Sequence, residues 1–124
     1  MFLFLLVFTC SGYTHCDKNA EKDYLGCWID SREENKPPYE GAVFRPCGYK
    51  EFPPSRFRFK FELLEDGICK ILKVSPIDAH YMEEGTWKFD APTNTLTLYN
   101  ANGTLHRSYE VLKAEHDLLE LRSF

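Results

Sequence analysis

Apolar and polar residues alternate most clearly over residues 56–64. Phe57, Phe59, Phe61 and Leu63 fall on one side, and Arg58, Lys60 and Glu62 on the other. A period of two marks a strand with one buried face. The run ends at Glu65-Asp66-Gly67. Asp-Gly suits a two-residue type I′ turn, whose central residues both take positive φ. That turn predicts a returning strand over 67–75, with Phe61 opposite Leu72 and Phe59 opposite Val74. Ile68, Leu72 and Val74 then face inward, and Cys69, Ile71 and Lys73 outward. Residues 75–84 read as a loop, and 85–90 as a strand with Trp87 and Phe89 on one face. A turn over 90–94 leads into a strand over 94–100 carrying Leu96 and Leu98. Asn102-Gly103 is a second type I′ signal. It predicts a strand over 104–112, with Leu96 opposite Tyr109 and Leu98 opposite Arg107. A last turn leads to a strand over 118–122. Residues 25–31 and a short stretch near 43–46 complete the set, and no segment has sustained helical periodicity. The pattern predicts an all-β fold, a small antiparallel up-and-down barrel of about eight strands, since closure removes exposed edges.

The segment 35–55 breaks the pattern. It holds Pro37, Pro38, Pro46, Pro53 and Pro54, and proline cannot donate to a ladder. If Trp28 faces inward, then Leu25, Cys27 and Ile29 face outward, beside Leu64, Cys69 and Ile71. Such an apolar outer patch is costly to leave wet. The expectation is that 35–55 drapes over it and that Cys47 is stapled to Cys27 or Cys69.

Residues 1–12 are nearly all apolar but too short to span a bilayer. They read as a signal peptide or a lipoprotein signal, with Cys10 as the candidate for lipidation. Residues 13–23 form a polar tether, and 24–124 one small domain. With Cys10 removed, the disulfide candidates are Cys16, Cys27, Cys47 and Cys69; four cysteines allow three pairings. Their spacing fits no paired Cys-x-x-Cys zinc pattern, and disulfides point to export. The net charge of −4 and the lack of a basic stripe argue against nucleic acid. Membrane attachment is expected only through a lipid anchor, and no metal or cofactor is implied.

Gly26-Cys27-Trp28, Asp66-Gly67, Glu84-Gly85-Thr86-Trp87, Leu96-Thr97-Leu98, Tyr109-Glu110-Val111-Leu112 and Leu118-Leu119-Glu120-Leu121 occur in that order. The order resembles small bacterial lipocalin-like domains of exported proteins and lipoproteins. The resemblance implies that Trp28 plugs one end of the barrel against an arginine, Arg107 or Arg122. The chain is much shorter than a lipocalin proper, which puts a large cavity in doubt. It is also similar to an uncharacterised bacterial group. The matching residues are Trp28, Ser31, Glu33, Glu34, Phe44-Arg45-Pro46, Phe52-Pro53-Pro54-Ser55-Arg56, Phe61, Pro76 and Asp78, besides the Asp66-Gly67 and Glu84–Trp87 motifs. That similarity implies a fold and no activity.

Glu33 and Glu34, with Asp78 as a distant second acid, are the candidates for carboxylate catalysis. Adjacent strand residues point to opposite faces, so ion pairs with Arg45, Arg56 or Arg58 are the favoured reading. Arg107, expected inward beside Tyr109, either stacks on Trp28 or Trp87 or binds an anion. His80, His106 and His116 have no near partner in sequence and read as surface residues. The leading expectation is an exported, non-enzymatic binding module. It would hold a small apolar or anionic ligand near Trp28, Trp87, Arg107 and Tyr109, or a protein partner on its outer face. One alternative is a secreted inhibitor-type protein using 35–55 as its contact loop, and another is a small carboxylate-based hydrolase.

Overall fold

Alternating burial closes the chain into a barrel. The structure is a computed structural model that describes residues 23–77 and 79–124. The strands are β1 Gly26–Asp30, β2 Ala42–Pro46, β3 Lys60–Leu63, β4 Ile68–Val74, β5 His80–Asp90, β6 Thr95–Tyr99, β7 Leu105–Glu115 and β8 Leu118–Ser123. All pair antiparallel in one closed sheet. The predicted leader, Cys10, Cys16 and the tether up to residue 22 lie outside the described residues, as does Asp78.

From β3 to β8 the chain is the expected up-and-down meander. The seam is built differently. β2 stands between β1 and β8, through pairs such as Ile29↔Arg45 and Phe44↔Leu119. β1 pairs on its other side with β3, with Trp28 opposite Phe61. β2 and β3 are both antiparallel to β1 and therefore run the same way. Residues 47–59 must travel the length of the barrel before β3 begins. This is why only the second half of the alternating run 56–64 is strand.

The Asp66-Gly67 hairpin forms with both residues at positive φ, but its loop holds Glu65 as well. Leu64 and Ile68 close it, the Leu64 amide donating to the Ile68 carbonyl at 2.8 Å. One extra loop residue slips the register, so Phe61 opposes Ile71 and Leu63 opposes Cys69. A one-residue slip turns a strand over. Cys69 and Ile71 are therefore buried, contrary to the expected register. The physical reason is Lys70. The expected face would have carried this lysine at mid-strand into the core, whereas the observed face leaves Lys70 exposed. With Cys69 and Ile71 inside, the expected outer patch shrinks. Residues 35–55 supply β2 and the start of the crossover instead of a drape.

Two strands extend into stretches where the sequence predicts a loop and a turn. β5 begins at His80 because its ladder with β4 runs on to Val74↔His80. β7 runs to Glu115 through an irregularity between Val111 and Lys113. The β6–β7 register, Leu96↔Tyr109 and Leu98↔Arg107, is as expected, with a shift at Tyr99.

One end of the barrel is filled. Phe61, Leu63, Ile71, Leu96 and Leu98 are fully buried. The Trp28 indole N–H donates to the Tyr24 carbonyl at 2.9 Å, and that of Trp87 to the Leu64 carbonyl at 2.8 Å. Tyr24 packs on Phe89 with ring centroids 4.6 Å apart. Trp28 thus faces inward and plugs this end, but its polar edge meets backbone and not an arginine. Outside, Cys27 and Cys47 form a disulfide with Cα atoms 5.4 Å apart. It tethers the start of the crossover to β1.

Candidate functional site

The other end of the barrel is open. A cavity of about 620 Å³ lies there, within the usual range for small-molecule sites. Its apolar wall comes from Phe44, Phe57, Phe59, Leu72, Tyr109 and Leu121. Phe59 packs on Phe61 toward the core with ring centroids 5.8 Å apart and tilted by 40°, and the His106 imidazole stacks on Phe59 at 5.8 Å. The wall is therefore aromatic on the β3 side and carries nitrogen on the β7 side.

Charge enters the cavity at five places, two of them Glu40, just before β2, and Arg122 of β8. Lys73 and Arg107 line it from β4 and β7, and Asp30 from the end of β1. The Lys73 ammonium donates to the Asn100 side-chain oxygen at 2.6 Å, a neutral partner. Arg107 pairs with no carboxylate among the described residues. It does not stack on Trp28 or Trp87, both of which lie in the filled end. Burial, with Lys73 and Arg107 nearby, lowers the His106 pKa and so favours neutral imidazole. Burial pushes the Asp30 carboxyl up, partly offset by Arg32 and Arg58. Tyr109 is pushed up to about 12 by burial and stays a phenol.

The β6–β7 tip is tied to this mouth. The Ala101 amide donates to the Glu83 carboxylate at 3.0 Å, beside the Lys73–Asn100 bond. The tip can approach because Gly85 has no side chain: a Cβ there would overlap the Tyr99 carbonyl oxygen.

Glu33 and Glu34 belong to a different constellation. Both sit in the 3-10 turn Arg32–Glu34 after β1. Glu34 accepts from Arg45 Nε at 3.0 Å and Nη2 at 2.8 Å, and from the buried Ser31 hydroxyl at 2.7 Å. Glu33 accepts from Arg58 at 2.9 and 2.7 Å. Hydrogen bonds from these guanidiniums hold both carboxyls down to about 2. Arg45 also donates to the Asp117 carbonyl at 2.9 Å, and Arg58 to those of Asp30 and Pro53, each at 2.8 Å. Arg32 reaches the Phe57 carbonyl at 3.0 Å and the Ser55 hydroxyl. The turn thus binds β2 and the crossover to the end of β1. A carboxylate held by two guanidinium N–H groups is poorly placed to accept a proton at neutral pH.

Of the residues expected at a site, Arg107, Tyr109 and Arg122 line the cavity, but only Tyr109 is buried; Arg107, expected inward, is exposed at the mouth. Trp28 and Trp87 do not line it, which corrects the expected placing of the cavity beside them. Glu33, Glu34 and Arg45 clamp the chain outside it. Arg56 is exposed and pairs with none of the described carboxylates. Arg122 pairs with Glu110 and with Glu40 rather than with a tryptophan. Cys69 is a buried free thiol whose proton is directed to the Thr86 carbonyl at 3.3 Å, and burial pushes its pKa up to about 11. It is therefore not the partner of Cys47.

Phe57, Phe59 and Leu72 line the cavity from positions expected inward, whereas Lys73, expected outward, and His106, expected at the surface, are the lining residues that sequence reasoning missed. The Asp-Gly register turned Lys73 outward. The parity of Lys70 was the signal that could have corrected it. Comparison with family models finds no match for this chain, and comparisons with curated proteins and with solved structures find none either.

Proposed function

We propose that this domain is an exported, non-enzymatic binding module that takes a small amphipathic anion into the open end of its barrel. The observation that carries the reading is Arg107. It is an exposed guanidinium without a carboxylate partner among the described residues, on the wall of a cavity of about 620 Å³ whose inner part is aromatic and aliphatic and whose rim is polar. A charge so placed favours an anionic headgroup at the mouth with its apolar body inside. Lys73 adds a second cation, and neutral His106 offers a hydrogen bond without repelling either one. Export is supported by the Cys27–Cys47 disulfide and by the apolar stretch 1–12. The lipocalin-like sequence resemblance agrees with a barrel that binds at its mouth.

The alternatives fit less well. The hydrolase reading needs Glu33 or Glu34 free to move protons, and both are held by arginines. The contact-loop reading needs a projecting 35–55, yet this segment supplies β2 and is tied down through Arg45 and Cys47.

The test is calorimetric titration with dodecanoate and with uncharged dodecanol. Dodecanoate binds more tightly than the alcohol. Arg107→Leu weakens dodecanoate by up to about tenfold, the upper end for one exposed charge-assisted contact, and leaves the thermal midpoint unchanged. Equal affinity for acid and alcohol, or binding of neither, overturns the proposal.

A further inference from the structure

Four of the residues that line the cavity are buried: Phe44, Leu72, Tyr109 and Leu121. They form its inner end, and three of their side chains offer only carbon. Tyr109, 5 % exposed, is the exception. Its ring meets Phe44 edge-on, with centroids 6.4 Å apart. Along β7 the inward positions pass from exposed at Leu105 and Arg107 to buried at Tyr109 and Val111. Tyr109 therefore stands one inward step deeper than Arg107. Asn35, Lys73 and Arg122 also line the cavity, and each is engaged by protein. The Tyr109 hydroxyl has no hydrogen-bond partner among the described residues. Yet no sealed side-chain oxygen or nitrogen is left unpaired among them. The hydroxyl therefore keeps open surface, and the space that Tyr109 lines is the cavity. After burial, the groups that bear on its titration are Arg107 and Asp30, both at the mouth.

We infer that the Tyr109 hydroxyl recognises a second oxygen in the ligand, so that the preferred ligand is an oxygenated amphiphile with a hydroxyl or carbonyl group on its apolar body. The headgroup of that ligand rests on the amphipathic-anion reading of the cavity, whereas the hydroxyl contact is independent of the headgroup's charge. A plain hydrocarbon body would cover the phenol with carbon and leave it unpaired, which costs affinity. Water trapped beneath that body would not relieve this. The buried lining offers it one polar partner, fewer than an ordered buried water needs. A ligand hydroxyl or carbonyl restores the bond, because a phenol both donates and accepts. Sites that hydrogen-bond a ligand oxygen reject the analogue lacking it, since their own polar group is then stranded.

The experiment is calorimetric titration of the full chain and of Tyr109→Phe. The probes are dodecanoate, its mid-chain and terminal monohydroxy derivatives, dodecanol and dodecanediol. Tyr109→Phe removes one oxygen and keeps the ring against Phe44, so its thermal midpoint does not fall. Wild type binds at least one hydroxy acid about fivefold more tightly than dodecanoate, the scale of one neutral hydrogen bond. It likewise binds dodecanediol more tightly than dodecanol. Tyr109→Phe loses both preferences and binds dodecanoate at least as well as wild type does. A preference for dodecanoate over both hydroxy acids in wild type overturns the inference, as does a preference that survives Tyr109→Phe. A lowered thermal midpoint in the variant also overturns it, by assigning the hydroxyl to the fold. If dodecanoate binds and the added oxygen changes nothing, this inference alone fails. If acid and alcohol bind equally while dodecanediol keeps an advantage that depends on Tyr109, the anion reading fails and the hydroxyl contact stands. If none of the compounds binds, both fail.

Discussion

Gly85→Ala is the smallest substitution that tests how the barrel is put together. Gly85 is buried on β5 opposite Cys69, and the chain leaving β6 lies against it. An added Cβ would overlap the Tyr99 carbonyl oxygen and stand 3.2 Å from its carbon and 3.4 Å from the Asn100 carbonyl carbon. What must yield is backbone, which cannot swing aside as a side chain can. Relieving the overlap requires a shift of about 1 Å in a close-packed wall, and overpacking of this kind costs about 1–3 kcal/mol. The shift also strains the Thr86↔Tyr99 ladder and the Lys73–Asn100 and Glu83–Ala101 bonds. Each such bond contributes about 1 kcal/mol. The expected loss is therefore about 3 kcal/mol, a fall in thermal midpoint of roughly 12–24 °C for a domain near 100 residues. Gly48→Ala is the control, because a Cβ there meets nothing within 4 Å, and it should stay within about 0.5 kcal/mol of wild type. Circular dichroism melts of the three proteins decide the matter. If Gly85→Ala melts within a few degrees of wild type, the close crossing of Tyr99 over β5 is refuted.

Three further outcomes are expected. Cys27→Ser with Cys47→Ser opens a loop spanning a sequence separation of 20 and should lower stability by about 3 kcal/mol on the chain-entropy account, read from urea midpoints. Glu33 and Glu34 have carboxyl pKa values of about 2 against 4.5 ordinarily. The unfolded chain therefore takes up protons first, so their contribution is whole above about pH 4.5 and is lost as pH falls toward 2. Glu33→Gln with Glu34→Gln should flatten that acid limb, and an unchanged slope of stability against pH between 5 and 2 would falsify the clamp. Cys69, buried and with a raised pKa, should resist iodoacetamide in the native protein and be labelled in urea, as peptide mapping would show.

The sequence pattern carries the barrel because strand alternation is local. Phe61 and Leu63, Leu96 and Leu98, and Tyr109 with Val111 can each be read from their neighbours alone. What is not local was not legible. Asp66-Gly67 announces a hairpin but does not state its loop length, and Glu65 in the loop shifts the register so that Cys69 and Ile71 turn inward and Lys70 outward. Only the cost of burying Lys70, a property of the whole strand, chooses the register. The placing of β2 between β1 and β8 depends on partners such as Phe44 and Leu119, 75 residues apart, and no short-range signal records it. The site divides in the same way. Arg107 and Tyr109 could be found by parity on one strand, whereas Phe57, Lys73 and His106 converge only once the barrel closes. The pairing of Glu33 and Glu34 with Arg58 and Arg45 follows from charge type, but which acid meets which arginine needed the path of residues 47–59.

The inserted β2 also bears on the order in which the molecule assembles. Hairpins from β3 to β8 join neighbours in sequence, and such low-separation pairings form fast. The seam does not share that advantage, since β2 must find β8 across most of the chain. The Cys27–Cys47 bond changes the search. Once oxidised, β1 and β2 arrive as one linked ribbon, and a single docking event closes both β1 on β3 and β2 on β8. Without it two strands must each locate a distant berth. The disulfide thus acts on refolding speed as well as on stability, and the reduced chain should close its barrel more slowly even under conditions where it still folds.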